Sequence, residues 1–172
     1  MNTFAQATAL LDRAGFRVTH RDLERPWGGF FVIDEEQAEA FIQHFFPEQD
    51  RTVLLEGGRL SPKLLVVAPN KRLSWQYHHR RAELWKVLDR SVGVVRSATD
   101  EPGELVRHAV GETIVLARGE RHRLVGMEEW GMVAEIWRHS DSEHPSDEDD
   151  IVRLQDDFGR KTPVKKDEGN YE

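Results

Sequence analysis

The stretch Leu73-Ser-Trp-Gln-Tyr-His-His-Arg-Arg-Ala-Glu-Leu-Trp85 decides the fold of this chain. If Trp75 to His79 is extended, Gln76 and His78 share one face and Tyr77 and His79 the other, because side chains alternate along a strand. Glu83 follows after a turn, at the start of the next strand. A second block, Gly111-Glu-Thr-Ile-Val-Leu-Ala-Arg-Gly-Glu-Arg-His122, has a glycine at each turn and ends on another imidazole. Pairing the two blocks in a small β-barrel sets His122 across from His78 and gathers Gln76, His78, Glu83 and His122 around one divalent ion. Two imidazoles, one carboxylate and one amide oxygen suit zinc, manganese, iron, cobalt or nickel and leave room for water or substrate. His79 competes with Gln76 for the last place.

Outward from these blocks the chain carries short β-prone runs with no helix between them, at residues 63–68, 84–88, 92–96, 104–110, 113–116 and 132–137. Such spacing predicts an all-β sandwich or barrel over an α/β fold. Upstream, Phe4, Ala7, Leu11 and Ala14 form one stripe of a helix over residues 3–14 that Gly15 ends. A second helix is predicted after Asp34, with Gln37 as capping-box partner, Ala38, Phe41, Ile42 and Phe45 on its core face, and Pro47 as its stop. Between the helices, Arg25-Pro-Trp-Gly-Gly-Phe-Phe-Val-Ile33 reads as a turn entering a short strand. From Asp141 the chain is acidic and then lysine-rich, which predicts an irregular arm over the barrel with its last dozen residues disordered. The expected organisation is helices and opening strand over 1–62, barrel core over 63–140 and arm over 141–172.

Composition bounds the chemistry. With 172 residues, 38% hydrophobic and 32% charged, the chain suits one soluble domain with a core of ordinary size. The absence of cysteine excludes disulfides and thiolate metal sites, so nitrogen and oxygen must hold any metal. A net charge of −7 argues against a nucleic-acid surface. The N-terminus has no basic start followed by an apolar run, and no apolar stretch approaches the ~18 residues of a membrane span, so a soluble, cytoplasmic protein without a membrane partner is expected. Of the eight histidines, His20, His44, His108, His139 and His144 read as packing or surface residues.

Gln76-x-His78-x₄-Glu83 and Gly111-x₅-Ala117-x-Gly119-x₂-His122 resemble the two cupin motifs, with Gln in place of the first His, Ala117 in place of Pro, and Gly126 where the second motif commonly ends in Asn. Within cupins, residues 73–85 are similar to the signature of type II phosphomannose isomerases. Arg25-Pro-Trp-Gly28, His122-Arg-Leu124 and Glu148-Asp-Asp-Ile-Val-Arg-Leu-Gln-Asp-Asp-Phe-Gly-Arg160 resemble further pieces of that family, in its order. Departures are Pro69-Asn70 for Pro-Gly, Leu84 for His, and two apparent insertions at 34–60 and 139–145. The resemblance implies a single cupin double-stranded β-helix, a jelly-roll barrel with added N-terminal helices. It also implies one divalent metal, zinc first, and a metal-dependent aldose–ketose isomerase that takes a sugar phosphate such as mannose 6-phosphate through an enediol. No nucleotidyltransferase domain lies in these residues, so a free-standing cupin is expected, as a homodimer with its exposed strand edges paired. Another metal enzyme on the same barrel, a dioxygenase or epimerase, and a non-catalytic sugar-binding cupin are the alternatives.

Isomerisation needs a proton removed beside a carbonyl and returned to the neighbouring carbon. Lys63, which aligns with a lysine of the family, and Arg81 are the candidates for proton transfer. A sugar phosphate also needs a seat for its dianion, which the planar fork of arginine suits. Arg81 comes first, followed by Arg72, Arg123 and Arg138. Trp85 and Trp137 are either sugar-stacking walls or core, and Glu135 is a candidate inward-facing acid.

Overall fold

A computed structural model describes residues 2–164. Asn2 accepts the Ala5 N–H at 2.8 Å to start α1 (Thr3–Ala14), and Gly15, with φ 76°, ends it. Asp34 caps a single 3-10 turn, Glu35–Gln37, which leads into α2 (Ala38–Phe45). Gln37 does not complete a capping box. Its amide accepts from Arg17 N at 2.6 Å and donates to Gly15 O at 2.8 Å, tying the end of α1 to the start of α2. A short α3 (Arg51–Leu55), capped by Asp50, follows and was not expected from the sequence.

The strands are β1 (Val18–Arg25), β2 (Gly28–Ile33), β3 (Lys63–Val67), β4 (Trp75–Tyr77), β5 (Arg81–Asp89), β6 (Val92–Ser97), β7 (Leu105–His108), β8 (Thr113–Leu116), β9 (Arg121–Gly126), β10 (Gly131–His139) and β11 (Val152–Gln155). They form two antiparallel sheets, ordered β1-β2-β3-β10-β5-β8 and β11-β4-β9-β6-β7. This is the expected all-β cupin barrel with N-terminal helices. The sheets cross both boundaries expected from the sequence, since β2 pairs with β3 and β11 pairs with β4. The opening segment supplies a hairpin rather than one strand, and the tail is a strand-bearing segment rather than an irregular arm. The disorder expected for the last dozen residues falls, for 165–172, outside the described residues.

Two apolar cores lie on opposite faces of the larger sheet. Leu64, Val66, Leu84, Met132, Ala134 and Ile136 pack outward against Leu11, Phe41, Ile42 and Phe45 of the helices. Leu65, Val67, Trp85, Val87 and Val133 point inward to meet Val94, Leu116 and Leu124 inside the barrel. Burial on both faces explains why β3 and β10 read as continuous apolar runs rather than alternating ones. Along each inward row the chemistry changes with depth: Lys63 precedes Leu65 and Val67, Arg81 and Glu83 precede Trp85 and Val87, and Trp137 and Glu135 lie beyond Val133. One end of the barrel is therefore dry and the other is charged, and the charged end holds the site.

Candidate metal centre and active-site cavity

Strand register brings the charged residues together. Gln76 is opposite His122, Glu83 opposite Trp137, and Glu135 lies between Trp85 on one side and Lys63 on the other. Directly opposed residues of antiparallel strands share a face, so each pair enters the barrel together. The two sequence blocks are also tied through their turns, because Gly119, at φ 77°, donates its N–H to His78 O at 3.0 Å.

His78, Glu83 and His122 converge as expected. Glu83 Oε1 is 3.1 Å from His78 Nε2 and Glu83 Oε2 is 3.2 Å from His122 Nε2, with all three side chains buried. Each imidazole bonds a backbone carbonyl through Nδ1, His78 to Asp150 O at 2.7 Å and His122 to Glu120 O at 2.9 Å. A carbonyl accepts only from Nδ1–H, so both Nε2 atoms present lone pairs to Glu83. Burial pushes the His78 imidazole down, toward the neutral form a ligand requires. Burial raises Glu83, but the adjoining His78 and the Arg81 guanidinium outweigh it and hold the carboxyl well below the usual range. Glu83 Oε2 and His122 Nε2 are buried without hydrogen-bond partners. An ion resolves that deficit, and separations near 3 Å match adjacent donors around a divalent metal at about 2.1 Å. The donor set therefore fits a zinc-type ion. Gln76 lies beside it, with Nε2 3.4 Å from His78 Nε2 and Oε1 accepting from Ser74 Oγ at 2.5 Å. His79 is exposed on the opposite face, against Tyr77, and stands outside the group.

Glu83 of the trio lines a cavity of about 410 Å³, together with Gln76, Arg81, Lys63, Glu135 and Trp137. Arg81 donates to Glu83 Oε1 at 2.8 Å, lies 3.6 Å over the Trp137 ring, and reaches Ser146 Oγ and Asp147 O at 2.9 and 3.0 Å. It thus links the ligand carboxylate to the tail. Glu135 accepts from Trp85 Nε1 at 2.7 Å and from Trp137 Nε1 at 3.0 Å. Burial, reinforced by the Glu83 charge, raises Glu135 to about 7. Trp85 packs in the inner core, edge-on to His122, rather than as an open stacking wall.

Three predicted arginines are not brought to the cavity. Arg72 forms a two-bond pair with Asp157 on the surface. Arg123 follows His122, so alternation turns it to the other face, where it bonds Leu73 O and Gln155 O. Arg138 follows Trp137 and is exposed on the outer side of β10. In their place Arg25, Arg153 and Arg160 line the cavity, with Trp27 and His20 beside them. The Val152-Arg-Leu-Gln155 alternation was the available signal for Arg153, but nothing local reveals that β11 pairs with β4 and carries it to the mouth.

Comparisons with known proteins agree with this architecture. The alginate biosynthesis protein AlgA of Pseudomonas fluorescens is 30% identical over 147 residues, covering 86% of this chain and 24% of that protein. A mannose-1-phosphate guanylyltransferase of Escherichia coli K12 is 30% identical over 141 residues, covering 82% and 23%. The chain thus spans about a quarter of the length of these relatives. Among solved structures, the capsular polysaccharide assembling protein CapF of Staphylococcus aureus superposes with a TM-score of 0.53 at 12% identity, covering 79% of this chain and 31% of that one. A recombinant oxalate oxidase in complex with glycolate superposes with a TM-score of 0.51 at 16% identity, covering 77% and 58%. At such identities these two likenesses carry the fold alone. The sequence profile described as mannose-6-phosphate isomerase C-terminal matches residues 35–156, and the chain, folded as a cupin barrel, belongs to that family.

Proposed function

We propose that this chain is a metal-dependent aldose–ketose isomerase that acts on a sugar phosphate of the mannose 6-phosphate class through an enediol. The observation that carries the reading is the convergence of His78, Glu83 and His122 on one point, with Glu83 also lining a polar cavity that holds a near-neutral acid, Glu135. A divalent ion held by these three, with Gln76 beside them, would polarise the carbonyl and hydroxyl oxygens of the sugar; zinc is the first candidate, then manganese, iron, cobalt or nickel.

Proton transfer belongs to Glu135 in preference to Lys63. A group with a pKa near the working pH both accepts a proton from one carbon and returns it to the next, whereas Lys63 is committed as a cation to Glu148 and to the Trp137 face. Trp85 and Trp137 hold the Glu135 oxygens by their indole N–H groups, which fixes the orientation of the carboxyl. Arg81 acts through Glu83, pinning one ligand oxygen and carrying positive charge to the reacting end. Arg153, whose Nε is buried without a hydrogen-bond partner, also lines the cavity, beside Arg25 and Arg160, which are paired with Asp22 and Asp156. Burial and the neighbouring Arg160 and Arg25 together lower the Arg153 guanidinium.

The proposal extends to a cytoplasmic enzyme, where phosphorylated sugars are retained, and to a homodimer. Among the described residues no helix is long and apolar enough to cross a membrane. Leu105, Val106 and Val110, in and beside the edge strand β7, are about half exposed and are the surface assigned to the dimer contact. The enzymatic test is conversion of mannose 6-phosphate to fructose 6-phosphate by the purified protein supplied with each metal in turn. Turnover that requires the metal supports the reading; metal bound without turnover on hexose or heptose phosphates contradicts it.

A further inference from the structure

Lys63 is a buried cation of the cavity wall, yet its counter-ion is Glu148, a tail residue whose side chain is 73% exposed. The loop around Glu148 is firmly held. Asp150 accepts the His79 and Arg80 backbone N–H groups at 3.0 Å each and the Ser146 hydroxyl at 2.5 Å. Ser146 N donates to His139 Nδ1 at 2.8 Å, and Arg80 donates to Pro145 O at 2.9 Å. A fixed loop therefore presents one exposed carboxylate to the lysine inside. On the far side of this ion pair lies a second cavity of about 380 Å³, which shares Val32, Lys63, Trp137 and Glu148 with the first. It is also lined by Arg59, whose side chain is 64% exposed and lies 3.9 Å from Glu35, at the outer limit of ion pairing.

From this arrangement we infer that Glu148 occupies the seat of the ligand's anionic group: a phosphate dianion entering the cavity takes over Lys63 Nζ, and the Glu148 carboxylate turns toward Arg59. The inference rests on the sugar-phosphate reading of the cavity and adds a residue that selects for charge. A phosphate group brings up to two charges and three acceptor oxygens against the single charge of Glu148, so it wins the exchange. A neutral sugar has nothing to exchange and leaves the ion pair closed. Lys63 is then a ligand contact, and Glu148 a positioning residue that sets specificity.

The test is calorimetric titration of inorganic phosphate, at fixed ionic strength and pH 8, into the wild type, Glu148→Gln and Asp149→Asn. Glu148→Gln removes the competitor and should bind phosphate about fivefold tighter. Asp149 lines the same cavity and is not paired with Lys63, so Asp149→Asn, which removes an equal charge, should change affinity by less than about twofold. In a Lys63→Met background the advantage of Glu148→Gln should vanish. Equal gains in both single variants, no gain in Glu148→Gln, an advantage that survives Lys63→Met, or no phosphate binding by any of the proteins would each overturn the inference. The readout is independent of turnover: a fivefold gain without isomerase activity removes the isomerase reading alone, and turnover without the gain removes the exchange alone.

Discussion

Glu135 shows how one side chain acquires a function from its neighbours. It is buried, faces the ionised Glu83, and receives two indole N–H bonds, and the balance raises it to about 7. As the proton acceptor it is competent above that value, so kcat for the wild type should rise as pH increases through about 7. Glu135→Gln keeps the shape but not the base; kcat should fall about 10²–10⁴-fold and the rising limb should disappear from the pH–rate profile. A profile that keeps its limb in the variant assigns the proton to another group. Gly126 makes a steric prediction. A Cβ there would lie 1.9 Å from Ala68 O, because the loop after β3 crosses over it. Installing the residue common at this place in cupins, Gly126→Asn, should therefore destabilise the fold by about 2–3 kcal/mol in urea denaturation, with no gain in metal binding. At this scale the ligands were legible because spacing along two strands and turns constrains them directly. Arg123 and Arg138 were misassigned because a residue next to an inward one points outward, and a composition of many arginines does not say which of them face in.

Among the elements, β10 connects the site to the tail. Its inward row runs Val133, Glu135, Trp137 and His139, and His139 Nδ1 receives the Ser146 N–H that anchors the loop bearing Glu148. Burial, with Arg81, Arg59 and Arg80 nearby, lowers His139 to about 4. A histidine lowered in the folded state is neutral there while the unfolded chain takes up protons below about 6.5, so stability is lost as pH falls from about 6.5 toward 4. Glu135, raised in the folded state, contributes stability at low pH that is lost as pH rises from about 4.5 through 7, opposing His139 over the shared window. The difference between wild type and His139→Gln isolates the histidine: wild type should lose about 2 kcal/mol more than the variant between pH 7 and pH 5, read from urea midpoints. Equal losses would show that His139 is not held neutral. The elements hidden from the sequence share a cause. Val18-Thr-His-Arg-Asp-Leu-Glu-Arg25 is an edge strand exposed along most of its length, so it carries no apolar alternation. β11 is four residues inside an acidic stretch and is made a strand by β4, not by its own propensity. Helices α1 and α2 were legible because each has a buried stripe of period 3.6.

For the whole molecule, the six-stranded sheet divides the labour, with helices sealing its outer face and the cavity opening on its inner one. The three segments read from the sequence share these sheets, so the tail belongs to the barrel and to the cavity wall. The exposed edge strand β7 should be covered in solution: sedimentation is expected to give twice the 19.9 kDa of the chain, and Leu105→Glu with Val106→Glu should give the monomer mass. A wild-type monomer would contradict that assignment. The central claim, that His78, Glu83 and His122 hold the metal on which sugar-phosphate isomerisation depends, is tested most directly by one titration. Chelator-treated protein and its His122→Ala variant are titrated with zinc while conversion of mannose 6-phosphate to fructose 6-phosphate is followed. The account predicts no turnover at the start, recovery in the wild type that saturates at one equivalent of metal, and no recovery in the variant. Full turnover without metal, or equal recovery in His122→Ala, would contradict it.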